Sequence, residues 1–202
     1  MIRILIALSF SVFLWFEAFA QNRYSLVEIS AYASCADYKL TDSSGADVAV
    51  PATVSEGLQC PSLLSLSGDT LCYRAGNYIR VYHIPAAKDY NLFEVFDDID
   101  GVSGPVWSPS RKRIAFVIIN QERKHDYSDM CRILILDLDE SFNVVRKYKF
   151  DRPVNFTCGS ICASDPVEDF RFIDENNIEY TRNLNIEDRP GEKGYIFIES
   201  AE

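Results

Sequence analysis

Two histidines and six cysteines are the side chains here best suited to nucleophilic or metal chemistry. His83 lies between Tyr82 and Ile84 in an alternating apolar run, which predicts a structural place in a strand. His125 stands between Lys124 and Asp126 with no serine, thiol or ligand cluster beside it, so it reads as a solvated loop residue. A zinc site needs Cys or His in close pairs at ligand spacing, and only Cys158 and Cys162 are close, without the C-x-x-C spacing. Gly101-Val102-Ser103-Gly104-Pro105 breaks the G-x-S-x-G nucleophile elbow at its last position. Asp98-Ile99-Asp100-Gly101 matches part of a calcium loop. Phe96 and Trp107, however, occupy the places where the first and twelfth ligands belong, so an acidic turn is the better reading. No Gly-rich phosphate loop is present. The sequence therefore predicts no catalytic set, no metal site and no cofactor.

Charge narrows the partners. With 20 Lys+Arg against 30 Asp+Glu the net charge is −10, and phosphate neutralisation needs clustered cations, so nucleic acid is not an expected partner. Arg111-Lys112-Arg113 is a local basic triplet that fits a hairpin turn better than a nucleic-acid patch. Residues 1–20 have the pattern of an export signal: Arg3, an apolar run from Ile4 to Phe16, then Ala18-Phe19-Ala20 before a cut at Gln21. The alternative is an uncleaved anchor, but the run is shorter than the ~20 residues that span a bilayer, and Glu17 ends it. No stable membrane span is expected after cleavage, and the expected address is periplasmic or secreted. In an oxidising compartment an even cysteine count favours disulfides, so Cys35, Cys60, Cys72, Cys131, Cys158 and Cys162 are all candidates. Cys158 bridging Cys162 is one option, and Cys72 as a buried free thiol is another. Asn155-Phe156-Thr157 is a glycosylation sequon, meaningful in a eukaryotic source.

These residues must be carried by strands. Runs of Ile, Val, Tyr and Phe recur at Leu71–Tyr73, Tyr78–Ile84, Ile114–Ile119, Arg132–Leu136, Val144–Phe150, Ile178–Tyr180 and Tyr195–Ile198, separated by turn formers. No helical periodicity competes with them, so the chain is expected to be all-β. Leu64–Tyr73 aligns without gaps on Trp107–Phe116, 43 residues later, and Phe172–Tyr180 fits the same frame with one residue fewer. Each copy is followed by a second strand, and the first two by a third. Short strands recurring every ~40–45 residues are the signature of propeller blades. Ser25–Tyr32, Tyr38–Leu40 and Asp47–Val50 supply three candidate strands for one more blade. The expected fold is thus a small or partial β-propeller of about three to four blades of short antiparallel strands.

Gly104-Pro105-Val106-Trp107-Ser108-Pro109-Ser110-Arg111-Lys112-Arg113-Ile114-Ala115-Phe116-Val117 resembles the repeat of TolB-type β-propellers, W-S-P-D-G-K-x-I-A-F. The match is strong over 104–117, fair over 61–84 and weak over 170–198. Ser110 and Arg111 stand where the family has Asp-Gly, and Leu64 replaces the tryptophan in the first copy. The resemblance implies structural roles for Trp107, Ser108, Pro109, Ile114 and Phe116. It also implies a TolB-like domain over 21–202 and protein–protein interaction in the periplasm.

The third copy arrives 65 residues after the second, and the excess falls in 121–130 and 155–166. Extended loops on a rigid scaffold are where binding surfaces lie, although they are also tolerated as plain insertions. Lys124, His125, Asp126, Tyr127, Asn155 and Phe156 are the candidate binding residues. The expected function is a non-enzymatic exported module with a protein partner. The alternatives are a secreted hydrolase or lyase on a propeller scaffold, or an accessory fragment of a larger propeller protein.

Overall fold

The computed structural model describes residues 23–31, 35–95, 99–120, 131–151, 170–182 and 191–199. Strands β1 (Tyr24–Ala31) and β2 (Ala36–Asp42) form a two-stranded sheet, and a short helix α1 (Ala52–Gly57) follows it. Next come β3 (Leu64–Ser67), β4 (Thr70–Ala75), β5 (Tyr78–His83) and β6 (Lys88–Glu94), a four-stranded meander in chain order. A second four-stranded meander holds β7 (Ile99–Trp107), β8 (Arg113–Asn120), β9 (Cys131–Leu138) and β10 (Val144–Asp151). The last sheet has β11 (Phe170–Phe172), β12 (Asn177–Thr181) and β13 (Lys193–Phe197). All pairings are antiparallel.

Side-chain alternation turns these four sheets into a stack with three apolar seams. On β8, Ile114, Phe116 and Ile118 join Cys72, Ile79, Val81, Leu134 and Leu136 in the seam between the two four-stranded sheets. Ala115 and Val117, on the other face of β8, join Ile133, Ile135, Phe170, Ile178 and Tyr180 against the last sheet. Leu71, Tyr73 and Tyr82 turn the opposite way from Cys72, toward Leu40, Val54 and Leu58 of the first layer. A strand buried on both faces has no solvent face to keep polar, which is why 114–119 reads as an unbroken apolar run. At roughly 25 cal/mol per Å² of apolar surface removed from water, these seams are the main stabilising term.

Three expectations are corrected. Asp47–Val50 is not a strand: Asp47 makes one isolated bridge to Thr41, and α1 follows. The Asp42 carboxylate accepts hydrogen bonds from the Ser44 and Ala46 amides and from the Ser44 hydroxyl, and Gly45 adopts φ +82°. That turn ends β2, and Pro51 then precedes the helix. The first layer is therefore two strands and a helix. Cys72 is a buried free thiol among its apolar neighbours, not a disulfide partner. Leu64 is not the positional match of Trp107. Trp107 pairs with Ile114, and the residue paired with the equivalent Leu71 is Leu66. The β3–β4 hairpin closes in two residues, with Gly68 at φ +57°, whereas the β7–β8 connection is longer, so an ungapped alignment slips the register.

Candidate functional site

The connections divide by end. Because each sheet is an antiparallel meander, β3–β4, β5–β6, β7–β8, β9–β10 and β11–β12 all turn at one end of the stack, each within six residues or fewer. Apart from the tight β4–β5 turn and the four-residue 95–98 segment between β6 and β7, the other end carries the long connections: 121–130 between β8 and β9, 152–169 between β10 and β11, and 182–192 between β12 and β13. Lys124, His125, Asp126, Tyr127, Asn155 and Phe156 belong to the first two of these and lie outside the described residues, as do residues 1–20, Asp98, Cys158 and Cys162. Cys131 opens β9 at the same end, its side chain outside the described set.

At the turn end a cleft of about 450 Å³ opens between the third and fourth layers, lined by Ser110, Lys112, Arg113, Asp137, Leu138, Glu175 and Asn176. Arg113 and Asp137 are cross-strand partners on β8 and β9. The Arg113 Nε donates to Asp137 Oδ1 at 2.7 Å, while Nη1 donates to the Glu175 carbonyl at 2.6 Å and to Asn176 Oδ1 at 2.7 Å. Tyr148 Oη donates to the other oxygen of Asp137 at 3.0 Å. From the β7–β8 turn, the Ser110 hydroxyl donates to Glu175 Oε2 at 2.7 Å and the Ser110 amide donates to Oε1. Burial pushes the Glu175 carboxyl up, but the hydrogen bonds from Ser110, with Ser108 and the Arg113 charge, outweigh it and hold the group below its ordinary value. Both carboxylates are thus committed to partners, and among the described residues lining the cleft there is no thiol and no hydroxyl–imidazole pair. The arrangement is a clamp between two layers, with the Lys112 side chain at its mouth.

A second polar cluster ties the first layer to the second. Asp89 Oδ2 accepts from Arg80 Nε at 3.0 Å, Arg80 Nη2 at 2.7 Å and the Thr53 hydroxyl of α1 at 3.1 Å. Among the described residues Asp89 Oδ1 and the buried Tyr73 hydroxyl have no hydrogen-bond partner within bonding geometry, and burial, with the Asp89 charge beside it, pushes the Tyr73 phenol well up.

The repeat residues all serve seams and turns. Trp107 packs into the seam toward the second layer, with Ile114 and Phe116 fully buried there. Ser108 is 2% exposed and closes the β7–β8 turn, its amide donating to the Arg113 carbonyl and its hydroxyl accepting from the Arg113 amide. Pro109 is exposed at the tip of that turn. His83 is in β5, its ring 5.6 Å from that of Phe142, which also meets Tyr90 at 5.4 Å. The Cys35–Cys60 disulfide joins β2 to the chain just past α1, and the Cys60 amide donates to Asp37. Sequence reasoning missed the Arg113–Asp137–Glu175 clamp. The charges were visible, but their meeting depends on how two layers dock.

Among the described residues no group of three or more His, Cys, Asp and Glu converges as metal ligands, and no helix is long and apolar enough to cross a membrane. No family model and no curated protein matches the chain. Among solved structures it is similar to an oligogalacturonate lyase in complex with manganese, with a TM-score of 0.54 and 11% identity. The likeness covers 88% of this chain and 47% of that one. That neighbour is a propeller, and the stacked small antiparallel sheets here agree with it. The fold is a partial β-propeller. At this identity the likeness carries the fold alone, and the chain spans about half the length of that neighbour.

Proposed function

We propose that this chain is an exported, TolB-like propeller module that binds a protein partner through the end of its stack where the long connections leave, and that it does no chemistry of its own. The asymmetry of connection lengths carries this reading. Five short turns occupy one end, while the long connections 121–130 and 152–169 leave from the other, which has only the β4–β5 turn and residues 95–98 as short links. A rigid stack with its long segments gathered at one end is the usual way a scaffold presents a variable binding surface. The export pattern of residues 1–20 and the Cys35–Cys60 disulfide are compatible with an oxidising compartment. The W-S-P motif at 107–109 supports the TolB-type assignment. Among the described residues, the ion-paired clamp at the turn end holds no thiol and no hydroxyl–imidazole pair, which weighs against the secreted-enzyme alternative.

The experiment is affinity capture with the exported chain from its own source, comparing wild type with Tyr127→Ala/Phe156→Ala and with Lys112→Ala. Capture of one defined protein, lost in the first variant and kept in the second, supports the proposal. Loss in Lys112→Ala alone moves the site to the turn end. Turnover of a glycan or ester panel without capture of any protein establishes the enzyme alternative.

A further inference from the structure

We propose that β13 is a self-pairing strand, through which two copies of this chain join their last sheets antiparallel about a two-fold axis at Tyr195. In the complete sheets a fourth strand, β6 or β10, lies outside the third. In the last sheet, β13 is the third strand, and among the described residues nothing lies beyond it. The outermost strands β6 and β10 are each irregular against their inner neighbour, with register shifts at Ile79/Arg80 and at Val144/Arg146. Such bulges blunt an edge against further pairing. β13 pairs with β12 in continuous register from Lys193 to Phe197, with no bulge and no proline, so its outer edge is a regular template.

Its sequence is self-complementary in that geometry. Pairing about Tyr195 sets Lys193 of each copy opposite Phe197 of the other, Gly194 opposite Ile196, and the two Tyr195 side chains opposite each other. Lys193, Tyr195 and Phe197 share the exposed face of the strand, with Tyr195 and Phe197 each 62% exposed. A cation over an aromatic ring at either end and an aromatic pair at the centre are favourable cross-strand combinations. The like-charge alternative, lysine against lysine, arises only in a parallel or shifted pairing. This self-complementarity, a cation against an aromatic ring at both ends of one short strand, commits the occupant to a second copy.

The outer face of the same sheet is mixed, unlike the seam faces. The seam faces of the interior strands are Ile, Leu, Val and aromatic. By contrast, the outer face of the last sheet sets Asn177, Glu179 and Thr181 of β12 beside Phe197, Tyr195 and Lys193 of β13. Glu179 is bridged by Arg171 at 3.3 Å and Lys193 at 3.5 Å and accepts from the Tyr195 hydroxyl at 3.3 Å. Edge-to-edge pairing leaves those polar groups in water and extends three strands to six. It also leaves the long-connection end of the stack free, so this proposal stands or falls separately from the protein-binding one.

Sedimentation of the intact chain between about 1 and 100 µM tests it. The expected result is a monomer–dimer equilibrium in wild type and a monomer throughout for Tyr195→Lys, which sets two lysines against each other on the axis. At protein concentrations low enough that wild type is also monomeric, the unfolding midpoint of that variant stays close to that of wild type, since the exposed Tyr195 makes only a surface hydrogen bond to Glu179. Register is read by cross-linking. Tyr195→Cys gives a covalent dimer joined at position 195, Lys193→Cys alone does not, and a mixture of Lys193→Cys with Phe197→Cys does. A monomer at every concentration, dimerisation unaffected by Tyr195→Lys, or cross-linking of Lys193→Cys alone as fast as Tyr195→Cys overturns the proposal.

Discussion

Tyr180 occupies the space that a side chain at Gly194, its cross-strand partner, would need: a β-carbon there would lie 2.3 Å from the Tyr180 ring. Its counterpart in the second layer, Tyr73, likewise fills the space over Gly57 at the end of α1. The same repeat position thus drives a buried aromatic ring across a bare backbone twice. Gly194→Ala is expected to destabilise the chain by ~1–3 kcal/mol, because a fully packed tyrosine cannot retreat. Urea unfolding checks this. A midpoint within error of wild type would show that the ring has room to move.

Arg111 sits at φ +60°, in the left-handed region, at the place where TolB-type repeats carry glycine. Ala87, in the β5–β6 turn, has φ +49°. A non-glycine residue in this region costs about 1–2 kcal/mol. Ala87→Gly is therefore expected to raise the unfolding free energy by several tenths of a kcal/mol to about 1, the unfolded-state entropy of glycine offsetting part of the relief. Arg111→Gly gains less, since the Arg111 guanidinium packs over Gly68 of the neighbouring turn. Thermal unfolding of both variants tests the ordering, and a lower midpoint for Ala87→Gly would sink it.

The parts legible in the sequence were those written in local pattern. The two-faced burial of β4, β8 and β9 is printed as unbroken apolar runs, and the repeat frame placed Tyr73, Phe116 and Tyr180 at equivalent buried positions. The illegible parts depend on distance along the chain. Arg113 meets Glu175 only after two layers dock. Cys35 meets Cys60 only after Asp42, Gly45 and Pro51 have turned 43–57 into a loop and helix where a strand was expected. Hairpin length was invisible too, which is why Leu64 was matched to Trp107 where Leu66 belongs.

The Cys35–Cys60 bridge closes a loop with a sequence separation of 25 residues around α1. In the chain-entropy account a loop of this size stabilises by ~3 kcal/mol. Cys35→Ser is expected to lower the urea midpoint by a corresponding amount, and reductant to act on wild type but not on that variant. Equal sensitivity of both to reductant would place the redox-labile bond elsewhere.

Asp42, Asp139 and Asp174 each hold a turn by accepting backbone amides two to four residues ahead, and each carboxyl lies below its ordinary value. For Asp42 and Asp139 this comes chiefly through the side chains of Ser44 and Asn143 and then those amides, for Asp174 chiefly through the Asn176 amide and then the Asn177 side chain. A folded-state value below the unfolded one means stability that is complete above the ordinary carboxylate value of ~3.9 and lost as pH falls through the depressed range. Asp139→Ala is therefore expected to be less stable than wild type at pH 7, with the gap closing below about pH 4. A gap that stays constant down to pH 2 would remove the charge from the explanation.

Arg113 is the joint between the third and fourth layers, because one guanidinium serves Asp137 on its own sheet and Glu175 and Asn176 on the next. The side chains of Arg113 and Asp137 are 12% and 18% exposed, so screening by water is limited and neither charge is rehydrated easily when the other is removed. Arg113→Ala leaves the Asp137 carboxylate with Tyr148 alone and the Glu175 carbonyl without its donor. It is expected to cost ~2–4 kcal/mol, most of it the penalty of an uncompensated group and not the worth of the pair. Arg113→Ala/Asp137→Asn should then recover part of that loss, since the stranded charge is gone. Arg113→Lys should also fall short of wild type, because an ammonium cannot reproduce the planar fork that spans the two layers. Equilibrium unfolding of the three variants decides the matter. A double variant no more stable than Arg113→Ala would show that the cost lies in the cross-layer bonds to Glu175 and Asn176, with Asp137 a bystander.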